Sequence, residues 1–514
     1  MSKEIPGWSL GTFDMSGWDA TAPVPDPLLA AAARSWQAVQ PVVARRDAAL
    51  PAAGVSRPSP TQYVVDFGVN SAGWTRLVLP GGCPSGAALA LRHAENLFAD
   101  GTVDQGNLRA AKATDTLRCD GRAAAFTYEP RFTYHGFRYV GVEGWPPPPF
   151  PAPAAANFFK VEAHNAVEHG GDATPSALAF TSASPALPVV HDIIRRGQLS
   201  NLHGGVPTDC PQRNERQGWM ADASVSAESA ISSWDMRALY TSWLRTIIDA
   251  QQSAAENKDC DPKSPIYPDC QGADTDTSPH LAGLYGNRPA DPSWGSALDI
   301  VYDLVLRYWG DVAWAAEHYD ALAAYAEYLL RVAASMEGLV TFHYYGDWLQ
   351  PNQVPSTDYV SQQTSAFSFL RTLRVAINAA AVLGRGDDAE RWTARYLEGV
   401  AAYNARFFNV SGGGCYGEGR QNEQVYAGYL SLVPGGDAAV PSFVERCLLP
   451  AIAANNTHVD TGIISTKYLM PLLSRVGHSA LALQLALNED FPSWAGMHFA
   501  FNQSTITEHW NPIS

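Results

Sequence analysis

The sequence predicts two structural classes in one chain, a β-sandwich followed by an α/α toroid. Three observations carry this. Residues 60–145 show short β-branched and aromatic runs that alternate with period 2, punctuated by Gly, Pro and Asn. From about residue 185 the apolar period changes to i, i+3, i+4 and i+7 and persists through at least ten segments. At 514 residues the chain is too long for one simple core, and its 46% hydrophobic residues can fill several.

Residues 1–54 read as a partial lead-in, with "SWQAVQPVVARRDAAL" as a linker after an incomplete domain. Residues 55–170 are assigned to the sandwich: "TQYVVDFG", "TRLVLPG", "AALALRHAE" and "AAFTYEPRFTYHGFRYVGVEGW" are several short strands at sandwich spacing. "WPPPPFPAPA" at 145–154 cannot continue a strand, because proline donates no ladder hydrogen bond, and is expected as a stiff surface connection. Residues 171–514 are assigned to the helical domain. "SPALPVVHDIIRRGQLSNLHG", "SALDIVYDLVLRYWGD" and "TSAFSFLRTLRVAINAAAVLG" are typical of its segments, each bounded by Gly, Pro or Asp. Loops rich in Pro, Trp and Asp join them, so the site of such a toroid is expected in a loop-lined cup at one end. A helical solenoid is the structural competitor, but no fixed sequence period supports it.

The formal charge of −16 argues against nucleic acid and anionic membrane as partners, since both need clustered Lys and Arg. The seven cysteines are scattered, with no CxxC spacing, so neither a zinc site nor a dense disulfide framework is expected; a Cys260–Cys270 bridge is the one local pairing on offer. The first residues, "MSKEIPGWSLG", lack the apolar run of a secretory signal, and no stretch approaches the ~18 apolar residues of a membrane span. A cytoplasmic location is the expectation. The fifteen tryptophans suit sugar rings, each offering a broad apolar face and one N–H donor, but they suit plain packing as well.

The segment "TDCPQRNERQGWMAD", Thr208 to Asp222, gathers three carboxylates, two arginines, a cysteine and a tryptophan with little apolar filler. Asp209 before Pro211 is a helix-start signal. If the segment is helical, Glu215, Trp219 and Asp222 fall at i, i+4 and i+7 on one face. Gly218 speaks equally for a loop that turns into helix. A solvated cap with surface charges is the bland reading for any single carboxylate here, but a solvated face rarely places a Trp and a Cys between its charges. Paired carboxylates point first to glycoside hydrolysis, in which one protonated acid serves the leaving oxygen and the other carboxylate attacks or activates water. Asp209 and Asp222 are like charges that favour a protonated Glu215, while Arg213 and Arg216 oppose them.

The second carboxylate is expected on another loop of the cup. Glu508 in "FPSWAGMHFAFNQSTITEHWNP" is the best candidate, flanked by Trp510, Ser504, Thr505 and Thr507. "ADPSWGSALDI" with Trp294 and "YYGDWLQP" with Asp347 and Trp348 have the aromatic-plus-acid character of a sugar subsite, though each alone reads as core packing.

These segments resemble the bacterial α-L-rhamnosidases, inverting glycoside hydrolases of family 78. The family pattern D-C-P-Q-R-x-E-R-x-G-W-x-x-D runs here through Asp209, Cys210, Pro211, Gln212, Arg213, Glu215, Arg216, Gly218, Trp219 and Asp222. "PSWAGM" and "STITEHW" resemble the second family segment. "VVDFGVNSAGWTRL", "LRHAENL", "NLRAAKATDTLRCDG" and "YEPRFTYHGFRYVGVEG" resemble the family's concanavalin-like β-domain. The resemblance covers about residues 55–510. It implies a β-sandwich before an (α/α)6 toroid, the six-hairpin glycosidase barrel. It also implies removal of terminal α-L-rhamnose from rhamnosylated small molecules or oligosaccharides. Glu215 is then the general acid and Glu508 the base that activates water. Asp209, Arg213 and Asp222 are implied to bind rhamnose hydroxyls, and Trp219, Trp294 and Trp348 to line the pocket, where an indole faces the C5 methyl. No cofactor and no metal is implied, although the sequence does not decide whether calcium assists.

The chain departs from the pattern at Asn214 and Gln217, neither a catalytic position, and it ends at Ser514, six residues after Glu508, where family members continue. A barrel truncated at its C-terminus is therefore the expectation. Two other function classes compete: a rhamnose–uronate lyase on a related toroid, and an inactive sugar-binding remnant. Oligomeric state and preferred aglycone are not legible.

Overall fold

Eighteen residues from Gln62 to Leu79 form one continuous strand in the computed structural model, which describes residues 42–44, 49–148, 150–165, 167, 182–255, 270–280, 289–351 and 357–511. Val65 and Phe67 precede a bend at Gly68, whose φ of 77° is left-handed; Leu77 and Leu79 follow it. All four side chains nevertheless enter the same core. The first half of the strand pairs antiparallel with Gly54–Ser59 and His135–Glu143, the second half with Phe158–Asn165 and Phe126–Tyr128. One strand thus joins the others into a single nine-stranded hydrogen-bonded network. Leu89, Leu91, Val140, Val142 and Phe158 complete that core, each contributing about 1.5–3 kcal/mol on burial. The network also takes in Leu50–Pro51 and Val42–Ala44, both on Phe158–Asn165. The rest of the lead-in expected at 1–54 lies largely outside the described residues.

The proline-rich stretch does more than span the surface. Trp145 donates its indole N–H to the Pro151 carbonyl at 2.9 Å and packs on Phe150 and Phe158, 5.8 and 6.1 Å away, so it closes one end of the sandwich core.

Among the described residues the rest of the chain is helical apart from a short antiparallel pairing of Phe408–Asn409 with Cys415–Tyr416, and burial separates inner from outer helices. Asp358–Val382 and Gln421–Tyr429 are buried on nearly every face, whereas Gly386–Phe407 fully buries only Trp392, Gly399, Tyr403 and Phe407 and leaves the rest partly or wholly exposed. A helix apolar or neutral all round belongs inside; an amphipathic one belongs outside. Five helices touch in a ring: Met220–Ser233, Ala297–Trp309, Asp358–Val382, Gln421–Tyr429 and Ile463–Arg475, the last returning to the first. Outer helices such as Arg237–Ala255, Tyr319–Ala334 and Gly386–Phe407 pack around them. Inside the ring Arg371 holds Asp299 in a two-pronged pair at 2.9 and 3.0 Å and donates to the Tyr468 hydroxyl at 3.1 Å, tying three inner helices together. Removing one partner of such a buried pair costs about 3–5 kcal/mol.

Cys83 pairs with Cys119, and Cys415 with Cys447. Their separations of 36 and 32 residues carry no local signal, because tertiary folding brings the partners together. The expected Cys260–Cys270 pairing lies outside the described residues. No described helix is long and apolar enough to cross a membrane.

Candidate active site

The acidic motif is a loop until Trp219, and helix only from Met220. Residues 218–220 lie antiparallel to 276–278: Ser278 N–H donates to the Gly218 carbonyl and Met220 N–H to Asp276, at 2.8 Å each, with Trp219 bridged to Thr277. A Cβ on Gly218 would sit 2.1 Å from the Ser278 carbonyl oxygen, so only glycine permits this approach. Of the two local forms left open by the sequence, the loop-to-helix transition is the one present. Trp219 is the N-cap and Asp222 lies in the first turn.

Asp209 staples the loop. Its Oδ1 accepts from Gln217 N–H at 2.8 Å, its Oδ2 accepts from the Cys210 thiol at 2.7 Å, and its own N–H reaches the Gln217 carbonyl at 3.1 Å. Burial pushes the Asp209 carboxyl up, against these hydrogen bonds. Cys210 is free and buried; burial, then the Asp209 charge, pushes its thiol up to about 12. Arg216 turns away from the site. Its backbone is left-handed, its Nη2 donates to the Tyr134 carbonyl at 3.0 Å, and its guanidinium lies 4.2 Å over the Tyr134 ring. A side chain at Gly136 would collide with Gln212, so the β-domain is pressed directly against the motif.

Glu508 enters the same site from 295 residues away in sequence: Arg213 Nη2 donates to its Oε2 at 2.7 Å, and Trp348 Nε1 to its Oε1 at 3.2 Å. Burial would raise the Glu508 carboxyl, but the Arg213 charge and the Trp348 N–H outweigh it and hold it below the ordinary glutamate range. The segment before it rests on the sandwich. Asn70 donates its backbone N–H to Ser504 Oγ at 2.7 Å and its side-chain amide to Thr505 Oγ1 at 3.3 Å. Glu215 is nearly buried, and its Oε1 accepts from Nη1 of Arg109, a residue of the β-domain. Asp222 is pushed up to about 7, first by burial and then by the charges of Asp209 and Glu508.

The three predicted tryptophans lie around one tyrosine that no sequence pattern singles out. Tyr345 sits edge-on to Trp219 at 5.7 Å, tilted on Trp294 at 4.6 Å and edge-on to Trp348 at 6.0 Å. Two buried aspartates fix this wall. Asp291 accepts from the backbone N–H groups of Ser293, Trp294 and Tyr344. Asp347 accepts from Asn422 Nδ2, Gly462 N–H, and the N–H and hydroxyl of Ser465. Asp347, grouped with a sugar subsite on sequence grounds, is fully occupied by these bonds and positions its neighbour Trp348. All eight predicted site residues therefore belong to one constellation, and Arg109 and Tyr345 join it. Arg109 lies 106 residues before Glu215 in the sandwich sequence, where no local pattern marks it.

Among the described residues two groups of side chains have metal-ligand composition: His93, Asp115 and His135 in the sandwich, and Asp209, Cys210 and Glu215 in the site. Neither fits an ion well. The rings of His93 and His135 stack 4.1 Å apart at 21°, so a shared ion would lie far out of both ring planes. In the second group Cys210 is a neutral thiol and Glu215 already faces a guanidinium.

Residues 175–514 match the family described as the bacterial alpha-L-rhamnosidase 6 hairpin glycosidase domain, and residues 56–161 match the corresponding concanavalin-like domain. An alpha-L-rhamnosidase of Streptomyces avermitilis is 32% identical over 99% of this chain and 44% of its own length. One from Formosa agariphila is 26% identical over 99% and 51%. The chain spans about half the length of the curated relatives it matches. Among solved structures, the alpha-L-rhamnosidase of Dictyoglumus thermophilum superposes with a TM-score of 0.84 at 31% identity, over 99% of this chain and 52% of that one. That of S. avermitilis complexed with L-rhamnose gives 0.78 at 31%, over 93% and 42%.

Proposed function

The chain belongs to the bacterial alpha-L-rhamnosidase family, and from that premise we propose that it hydrolyses terminal α-L-rhamnosides by a single displacement with inversion. The observation that carries this is the meeting of Glu215 and Glu508, far apart in sequence, in one aromatic-walled cup. Glu508 is held ionised by Arg213 and Trp348, which suits a base. It takes a proton from water as that water attacks the anomeric carbon, and Glu215 gives a proton to the departing oxygen from the opposite side. Asp209, Asp222 and Arg213 grip the sugar hydroxyls. Trp219, Trp294, Trp348 and Tyr345 supply the apolar wall for the deoxy-sugar methyl. Acid, base and water suffice for this step, so the reading invokes no metal or cofactor. The substrates are rhamnosylated small molecules or oligosaccharides, and a lyase reading is not favoured by the family match.

The compartment is part of the same proposal. A cytoplasmic location was the expectation, but the Cys83–Cys119 and Cys415–Cys447 bridges suit an oxidising compartment, and we place the protein there. The test of function is direct. Purified protein should release nitrophenol from a nitrophenyl α-L-rhamnoside and leave the β-anomer and the matching glucoside intact; no release would overturn the proposal.

A further inference from the structure

The two glutamates each face an arginine, and the two pairings make opposite chemical sense. Arg213 beside Glu508 favours a carboxylate, as a base requires. Arg109 beside Glu215 also favours a carboxylate, whereas a proton donor must hold its proton when the bond breaks. Something must draw Arg109 away during turnover.

The loop bearing Arg109 is built to place it. Asp104 accepts from Gly106 N–H at 2.7 Å, and Gln105 Nε2 donates to the carbonyls of His93 and Ala113 at 2.9 and 3.2 Å. Leu108 is buried, and Asn107 Nδ2 donates to Glu95 at 2.8 Å. Arg109 itself has φ 52° and ψ −117°, a backbone state that costs a non-glycine residue of order 1–3 kcal/mol and clusters at functional sites. Its side chain is nonetheless half exposed. A donor must come within about 3 Å of the glycosidic oxygen, and Arg109 is in direct contact with that donor. The guanidinium therefore lies within about 6 Å of the bond to be cut, beside the group that leaves.

We propose that Arg109 selects rhamnosides whose leaving sugar carries a carboxylate next to the linkage, and that this carboxylate takes the guanidinium from Glu215. In a uronic acid linked through the carbon next to the ring carbon that bears its carboxyl, the carboxylate lies close enough to reach it. A planar guanidinium fits a carboxylate in two-pronged fashion. Glu215, freed of its partner, takes up a proton from solvent and passes it to the glycosidic oxygen. The overall charge of −16 makes the rest of the molecule a poor anion trap, so local selection by one cation is what the site can offer. This inference rests on the proposed rhamnosidase activity.

The test compares the α-L-rhamnoside of D-glucuronic acid, linked at that position, with the same disaccharide after reduction of its carboxylate to the alcohol; a nitrophenyl rhamnoside reports the basic activity. Wild-type protein should prefer the acid in kcat/KM by about 10- to 100-fold, the worth of a hydrogen bond to a charged group. R109Q should lose that preference and cleave the neutral disaccharide faster than wild type does, because Glu215 is released. R109K should keep part of the preference. A merely structural Arg109 predicts instead that R109Q slows both disaccharides alike, which would overturn the proposal, as would equal wild-type rates on the two. If nitrophenol is released and the pair is not discriminated, only this inference fails. If no rhamnoside is cleaved, the functional reading fails and takes this one with it.

Discussion

Replacing Asp222 by Asn should make the protein more stable and a poorer binder of rhamnose. The Asp222 carboxyl is pushed up to about 7, first by burial and then by the charges of Asp209 and Glu508; in the unfolded chain it returns to about 4. The folded state therefore binds the extra proton between these limits, so stability falls as pH rises through that window. Below about pH 4 the carboxyl is protonated in both states and costs nothing. Above about pH 7 its full cost is present, about 4 kcal/mol as a ceiling and 2–4 kcal/mol with some solvent access. The amide cannot ionise and escapes this cost. At about 2 °C per kcal/mol for a protein of this size, D222N should melt roughly 4–8 °C above wild type at pH 8, with the gap closing towards pH 4. The assay is Tm against pH for both proteins, with rhamnose titrated into each. Affinity should fall about 10-fold or more, because a hydrogen bond to a charged acceptor is lost. A gap that does not change with pH, or a variant less stable than wild type throughout, would refute the electrostatic reasoning. Unchanged affinity would remove Asp222 from the sugar site.

Glu215→Gln should lose about 10²–10⁴-fold on a natural rhamnoside and far less on a nitrophenyl one, whose leaving group needs no proton. Glu508→Gln should lose similarly on both, with partial rescue by azide; the reverse pattern in kcat/KM would exchange acid and base. Arg213→Gln removes the charge that holds Glu508 low, so the acid limb of the kcat/KM–pH profile should move to higher pH, and an unmoved limb would contradict that role. Asp347→Ala strips four donors of their acceptor and should lower stability by about 3 kcal/mol or more, read as a drop in Tm.

How much of this was legible in the sequence varies with the range of the interaction involved. Period-2 and period-3.6 patterning announced a β part and a helical part, because each strand or helix records in its own residues which face is buried. It could not tell that Gln62–Leu79 is one continuous strand, since the left-handed Gly68 stands in its middle. The motif from Asp209 to Asp222 was conspicuous because its charges crowd one segment. Its loop form depends on Gly218 meeting Ser278, a contact no local pattern reveals. Glu508 looked weak alone and gains its place from Arg213, Trp348 and the Asn70 contacts to its segment. Arg109 was hidden within a sandwich segment, and the segment of Asp347 read alone as core packing, in keeping with the structural hydrogen bonds its carboxylate makes. The Cys83–Cys119 and Cys415–Cys447 pairs were invisible for the same reason, being products of tertiary folding.

The central claim is a single displacement in which Glu215 protonates the leaving oxygen and Glu508 activates the attacking water. The anomeric configuration of the first product tests it most directly. Proton NMR of a nitrophenyl α-L-rhamnoside digest, read before mutarotation, should show β-L-rhamnose appearing first and α-L-rhamnose only later. Early accumulation of α-L-rhamnose would mean a covalent intermediate and two displacements, and would contradict the roles given to both glutamates.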